Sequence, residues 1–408
     1  MRKTNNIFIF LNLKKHSKFF KLFLLFILLF FSVFILTYRL DKNPPGFFID
    51  ESIYGYEAFS IVKNKGFSSN GEFLPRFFKN PTQQTRGHSS YVYFNIPFIT
   101  IFGLKEFSVR LSSVVSSLLL LFTLYFFLKK KIDFFAIFLT LFWWPLTAWV
   151  FILSRIGLEH IFGTMISFVV FFLLNFIFFE NQKNFFNFIL LGLFLLFTFY
   201  SFQAGKLIGL SYFGLAIILI FLKEKNNKRK ISYLSIIGSF FILTLFLSYS
   251  YIKDGSFFYR SNELMYYCSD RFIECFIKNI FSHFNWKYYF LNDYRPPDFP
   301  VFRHSILGTS LIPKILAPFL IIGIIKLISG LIKKNPESWL ILFSYINGII
   351  PASLTIRGFD SWRSVATLPI IFVLIGFGID YIFKKIKFIA KKREKIIILL
   401  IIIIFFWV

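Results

Sequence analysis

The chain has 408 residues, of which 56% are apolar and only 16% charged, with a mean hydropathy of +0.67. Water-soluble domains carry about 25% charged residues, so a soluble globular protein is excluded. The net charge of +26 would suit a nucleic-acid binder. However, the lysines and arginines cluster in short loops between apolar runs, which is the cytoplasmic-side signature of a multi-pass membrane protein, and nucleic acid is not expected as a partner. The abundance of Phe, Ile, Lys and Asn also fits an AT-rich genome, so single Phe or Lys residues carry little weight.

A bilayer core about 30 Å thick needs roughly 20 apolar residues per helix. The basic N-terminus, MRKTNNIFIFLNLKKHSK, precedes a first span at about 20–39 with no small-residue cleavage site after it. It reads as a retained helix with its N-terminus in the cytoplasm. Residues 40–106 form a long first outer loop, in which NIPFITIFG is too short to cross and lies at the interface. Further spans are predicted at about 107–128, 132–152, 160–179, 184–202, 205–222, 231–252, 311–332, 338–353, 364–383 and 396–408, with a second long outer loop at about 253–310. The basic stretches KKK (129–131), KEKNNKRK (223–230), KKNPE (333–337) and KKIKFIAKKREK (384–395) then all fall on the inner side. Of the twenty carboxylates, six are inner (Asp133, Glu180, Glu224, Glu337, Asp380, Glu394) and fourteen outer. The expectation is an all-α polytopic bundle of about 11 transmembrane helices, a single domain over 1–408 in the inner or plasma membrane, with its chemistry on the outer face. EKIIILLIIIIFFWV stops inside or at the end of a span, which raises the expectation of a further C-terminal portion.

Several absences narrow the chemistry. There is no GxxxxGK[ST], no GxGxxG between strand and helix, no HExxH and no GxSxG, so nucleotide binding, a zinc-protease site and acyl transfer lack support. An outer-face enzyme without nucleotide binding would need its activated substrate delivered by a lipid. Cys268 and Cys275 are seven residues apart, about 10 Å on a straight helix and too far for a disulfide; a bridge across a loop and two unrelated thiols both remain open.

Three groups of residues are candidates for chemistry. Asp50 and Glu51 are adjacent carboxylates just beyond the first span. On a helix they point about 100° apart, so one can act as a general base while the other engages a different group. Taken alone, Asp50 also reads as a helix N-cap ahead of ESIYGYEAFSIV. In SRIGLEH, Arg155 and Glu159 have i, i+4 spacing and read either as an intrahelical ion pair or as a functional pair at the membrane boundary. Lys206, Arg303, Arg357 and Arg363 lie at outer span ends, where they either snorkel to headgroups or hold a lipid phosphate. No complete metal-ligand set is visible; the carboxylate pair leaves a divalent cation open, and no other cofactor is expected.

These pieces in this order resemble a known family. IDESIYGYEAFSIVKNKG after a first span resembles the first outer loop of the protein O-mannosyltransferase and aminoarabinose-transferase superfamily, glycosyltransferases of the C-type (GT-C) membrane fold. GHSSYVYFNIPFITIFGLKEFSVRLSS is similar to the interfacial stretch that follows, and SRIGLEH to the arginine-containing second outer loop. HFNWKYYFLNDYRPPDFPVFRHSILGTSL and GFDSWRSVATLPIIFVLIG resemble the later outer loop and the R…P…G span. The resemblance covers about residues 20–383. It implies transfer of a sugar from a polyprenyl-phosphate donor to a protein, lipid or glycan acceptor on the outer face, with inversion at the anomeric carbon. Asp50 would be the base, Glu51 would orient acceptor or donor, and Arg155 and Glu159 would belong to the second-loop position. Arg363, with Lys206, would hold the donor phosphate, although Lys206 stands where many relatives carry arginine. Acceptor choice would lie toward the C-terminus, where relatives vary. The rivals are a transporter or flippase of the lipid-linked sugar, which would more often show internal repeats, and an O-antigen-type ligase, which lacks the early Asp-Glu.

Overall fold

In lipid, backbone N–H and C=O groups must find partners within the protein, and apolar runs of this length satisfy that constraint as helices. The computed structural model describes residues 18–79, 86–253, 271–291, 306, 308–355 and 360–390. Its helices are α1 (Lys18–Thr37), α2 (Ile49–Lys63), α3 (Ser89–Phe102), α4 (Glu106–Leu128), α5 (Phe134–Phe142), α6 (Ala148–Arg155), α7 (Glu159–Phe178), α8 (Phe185–Ser201), α9 (Gly205–Lys223), α10 (Asn227–Lys253), α11 (Phe272–Ser282), α12 (Lys287–Phe290), α13 (Ala317–Ile332), α14 (Pro336–Ser353) and α15 (Leu368–Ala390). A two-stranded antiparallel ribbon pairs β1 (Phe77–Lys79) with β2 (Arg86–His88).

Seven described helices, namely α1, α4, α7, α9, α10, the 314–332 segment containing α13, and the 365–386 segment containing most of α15, are long and apolar enough to cross a membrane. The protein is an all-α polytopic membrane protein. The expected span at 396–408 lies outside the described residues. The expected span at 132–152 is corrected: it is two short helices, α5 and α6, separated by a turn around Trp143–Thr147. Pro145 has no N–H to give and clashes with the preceding turn. The chain instead buries Trp144, whose Nε1 donates to Ser117 Oγ at 3.0 Å. The interfacial stretch around NIPFITIFG is α3, 14 residues long, or about 21 Å at 1.5 Å per residue, which is short of a bilayer crossing.

The bundle has two distinct ends. At one, Lys130 pairs with Glu180, Lys131 with Glu337 at 2.9 Å, Lys183 with Glu224 at 3.4 Å, and Lys384 with Asp380 at 2.8 Å. Asp380 also accepts the Asp133 N–H at 3.0 Å. The first three pairs tie together the ends of α4, α7, α9 and α14, and the Asp133–Asp380 bond ties the start of α5 to α15. At the other end stand α2, the N-termini of α4 and α7, and the turn leading into α15, and this is where the carboxylates of interest gather.

The closest helix packing is between α13 and α15. A Cβ on Gly378 would fall 1.9 Å from the Phe319 carbonyl oxygen, and one on Gly323 would fall 2.0 Å from that of Leu374. Paired glycines let the two backbones touch, which is how membrane helices associate where lipid is as apolar as the side chains. Gly378→Ala should therefore force the helices apart and cost about 1–3 kcal/mol, read as a lower thermal unfolding midpoint in detergent. An unchanged midpoint would mean that the contact tolerates a methyl group.

Candidate functional site

The site is built around the start of α2. The helix begins at Ile49 with Phe48 as its N-cap, so the reading of Asp50 as N-cap is corrected: it lies inside the first turn. Glu51, at the third helical position, supplies the cap instead by accepting the Phe48 N–H at 2.9 Å. A carboxylate at this position reaches back to satisfy an orphan donor at the helix start, and it sits favourably in the helix dipole.

Glu51 is 1% exposed and takes three further hydrogen bonds. Arg110 donates to it from Nε at 3.0 Å and from Nη2 at 3.3 Å, and the Gly157 N–H donates at 2.6 Å. Two carboxylate oxygens offer about four acceptor positions, so Glu51 is saturated. Arg110 reaches it from α4, fully buried, and also donates to the carbonyls of Leu40, Pro44 and Gly46. The sequence offers Arg110 only as the middle of a VRL landmark. The usable signal was an arginine in the first turns of a membrane-crossing helix, where an unpaired charge is costly.

Arg155 and Glu159 do not form the ion pair that their spacing suggested. α6 ends at Arg155 and α7 begins at Glu159, with an extended segment between them, so the two residues do not share a helix face. The Arg155 guanidinium is directed instead at backbone carbonyls of Ile35, Leu36, Tyr38, Arg39 and Asn43, at 2.7–3.2 Å. It closes the C-terminus of α1, whose last carbonyls have no helical partner and attract a cation. Arg155 therefore positions the loop between α1 and α2, and does so from a buried location.

Asp50, by contrast, stays half-buried, and its carboxylate is close enough to act electrostatically on Tyr54 and His160. The Tyr54 hydroxyl lies within electrostatic reach of the Glu159 carboxylate. Burial, together with the Glu159 and Asp50 carboxylates, holds the phenol well above its usual range, so Tyr54 remains a protonated donor. His160 packs edge-on against Trp362, with ring centroids 4.9 Å apart, and lies within electrostatic reach of Asp360 and Arg363. Its Nδ1 is buried without a hydrogen-bond partner.

The other wall is the turn before α15. Asp360 accepts the N–H groups of Trp362 and Arg363 at 2.9 and 3.1 Å and pairs with Arg363 Nη1 at 3.1 Å. Arg363 also donates to Thr355 Oγ1 at 3.2 Å. Three distant stretches of sequence, around 50, 159 and 360, thus converge. Tyr54, His160, Asp360 and Trp362 belong to this cluster although the sequence reading did not select them. Lys206 has its ammonium 5.6 Å from the Phe77 ring, where Phe77 packs on Tyr200 and Tyr251. Arg303, Arg357 and Cys268 fall outside the described residues. A groove of about 600 Å³ along α2 is lined by Phe47, Ser52, Ile53, Tyr56, Leu104, Lys105 and Glu106. Among the described residues no three His, Cys, Asp or Glu side chains converge as a metal site.

Breaking the Glu51–Arg110 pair from one side strands a buried charge. Arg110→Met should cost about 3–5 kcal/mol, visible as a large drop in the unfolding midpoint in detergent, and adding Glu51→Gln should recover part of it. A wild-type midpoint for Arg110→Met would show that the pair does not hold the loop.

No family model matches the chain, and no curated protein matches it by sequence. Solved structures do match. ArnT from Cupriavidus metallidurans bound to undecaprenyl phosphate aligns with TM-score 0.52 and 13% identity, over 89% of this chain and 60% of that one. The archaeal oligosaccharyltransferase AglB from Archaeoglobus fulgidus, in complex with an inhibitory peptide and a dolichol-phosphate, aligns with TM-score 0.56 and 13% identity, over 93% of this chain and 52% of that one. The chain thus spans half to three-fifths of the length of these relatives. Both are GT-C glycosyltransferases, and the chain shares their all-α polytopic fold.

Proposed function

We propose that the chain transfers a sugar from a polyprenyl-phosphate donor to an acceptor hydroxyl or phosphate on the outer face of the membrane, with inversion at the anomeric carbon. The reading is carried by the unequal treatment of two neighbouring carboxylates. Glu51 is saturated by four donors, while Asp50 is held half-buried on the same braced turn, in a cluster that also contains Arg363. The fold adds support: the ArnT structure holds undecaprenyl phosphate and the AglB structure holds dolichol-phosphate and a peptide, which suggests a lipid-phosphate donor and a protein, lipid or glycan acceptor here.

In this mechanism Asp50 takes the proton of the acceptor hydroxyl as the acceptor oxygen bonds to the anomeric carbon. The bond from that carbon to the phosphate oxygen breaks, and its electron pair leaves with the polyprenyl phosphate. Arg363 stabilises the departing phosphate through its planar fork, and Asp360 keeps that fork oriented. Glu159 and the Tyr54 hydroxyl offer an acceptor and a donor to the sugar. Glu51 acts through Asp50: it fixes the turn and touches no substrate. The membrane presents the donor already oriented, which lowers the entropic part of the barrier.

Asp50→Asn should reduce transfer from a polyprenyl-phosphate sugar in proteoliposomes by about 10²–10⁴-fold, the usual contribution of a general base, with the unfolding midpoint unchanged. Full activity in that variant would remove Asp50 as the base. Wild-type protein that moves lipid-linked sugar across vesicles without transferring it would point to a flippase.

A further inference from the structure

Helix α11 is amphipathic in an inverted sense. The residues it buries are polar: Asn279, and His283 just past its end. The residues it exposes are large and apolar, with Ile273 71%, Ile277 48%, Phe281 68% and Phe284 51% exposed. The first three follow i, i+4, i+8 spacing and Phe284 extends the same stripe, so they share one face. Arg271, Glu274 and Lys278 occupy the flank between this face and the buried one. In water such an arrangement would leave a contiguous apolar stripe unexplained. At a bilayer surface it has the composition of a helix lying in the interface plane, with its apolar face toward the acyl chains and its charges toward water.

The position of α11 fits that setting. It packs on the end of α14, where Asn279 Nδ2 donates to the carbonyls of Ser353 and Thr355 at 3.1 and 2.6 Å. The chain that follows is fastened by the Ile312 N–H donating to the Tyr289 carbonyl at 2.9 Å, two residues before a membrane-crossing segment begins. Trp286, 58% exposed, and Lys287 stand just beyond, and tryptophan and lysine favour the headgroup level. The helix therefore sits at the depth where membrane helices end.

We infer that α11 is seated in the lipid surface at the Asp50 end of the bundle. Through Asn279 it holds the 353–355 segment whose Thr355 hydroxyl accepts from Arg363. Lipid contact thereby helps to place the arginine; this second part rests on the phosphate role assigned to Arg363 above.

The seat can be tested without activity. With Cys268 and Cys275 replaced by serine, a nitroxide is placed at Ile277→Cys or Lys278→Cys in phosphatidylethanolamine–phosphatidylglycerol nanodiscs. Oxygen should reach position 277 several-fold better than a nickel chelate, and the preference should reverse at 278. Equal nickel access at both positions would put the face in water, and exclusion of both reagents from 277 would mean that protein covers it; either result overturns the seat. The coupling is read by binding: Asn279→Ala should weaken polyprenyl-phosphate binding about tenfold, and an unchanged Kd would overturn it. Wild-type protein that binds the lipid but transfers no sugar would strike the proposed reaction and leave the seat standing.

Discussion

Bringing Glu51 and Arg110 together out of water carries a desolvation cost that their mutual attraction offsets only when the geometry is good and the remaining positions are hydrogen-bonded. Both conditions are met: the Phe48 and Gly157 N–H groups complete the carboxylate, and loop carbonyls complete the guanidinium. The need for this is visible in α1, which buries only Leu28, Ser32 and Leu36 and turns most of its surface outward. A helix so weakly packed would not by itself fix the loop that follows. Arg110 and Arg155 compensate by gripping that loop through its backbone, using chemistry that does not depend on the loop's own side chains.

The two ends of the bundle are built on different principles. The lysine-rich end is held by ion pairs between partly exposed side chains, each worth little in isolation but linking helices that are distant in sequence. The Asp50 end is held by buried charges, Glu51, Arg110 and Arg155, that bond to one another and to backbone groups. That difference follows from what each end has to do. One end keeps helices adjacent, and in the proposed reaction the other has to keep the Asp50 carboxylate in place while leaving it accessible.

Much of this was legible in the sequence. Hydropathy and lysine placement give the polytopic helical class, because those signals are summed over long windows. The Asp-Glu pair, Glu159 and Arg363 could be singled out because carboxylates and arginines near span ends are few in so apolar a chain. Pairing was not legible. Arg155 and Glu159 have the spacing of a helical pair, yet the helix breaks between them, since Gly157 and the hydrogen bond it gives Glu51 belong to a contact more than a hundred residues away in sequence. Arg110 was hidden for the same reason, as nothing local marks it as the partner of Glu51. The α5–α6 break illustrates how a single proline outweighs an otherwise continuous apolar run.

The adjacency of Asp50 and Glu51 now has a physical reason. Successive helical residues diverge by about 100°, so when one is turned into the protein its neighbour is aimed in a different direction. Burying Glu51 against Arg110 therefore fixes the direction of Asp50 without any contact to Asp50 itself. Glutamate suits the inward role because its longer side chain can fold back to its own N-cap and still reach Arg110, whereas aspartate keeps a short, stiff reach at the mouth. The Arg363 wall is braced in a parallel way by Asp360 from within its own turn. The two halves of the cluster are thus each braced by their own hydrogen bonds and meet across the His160–Trp362 ring pair.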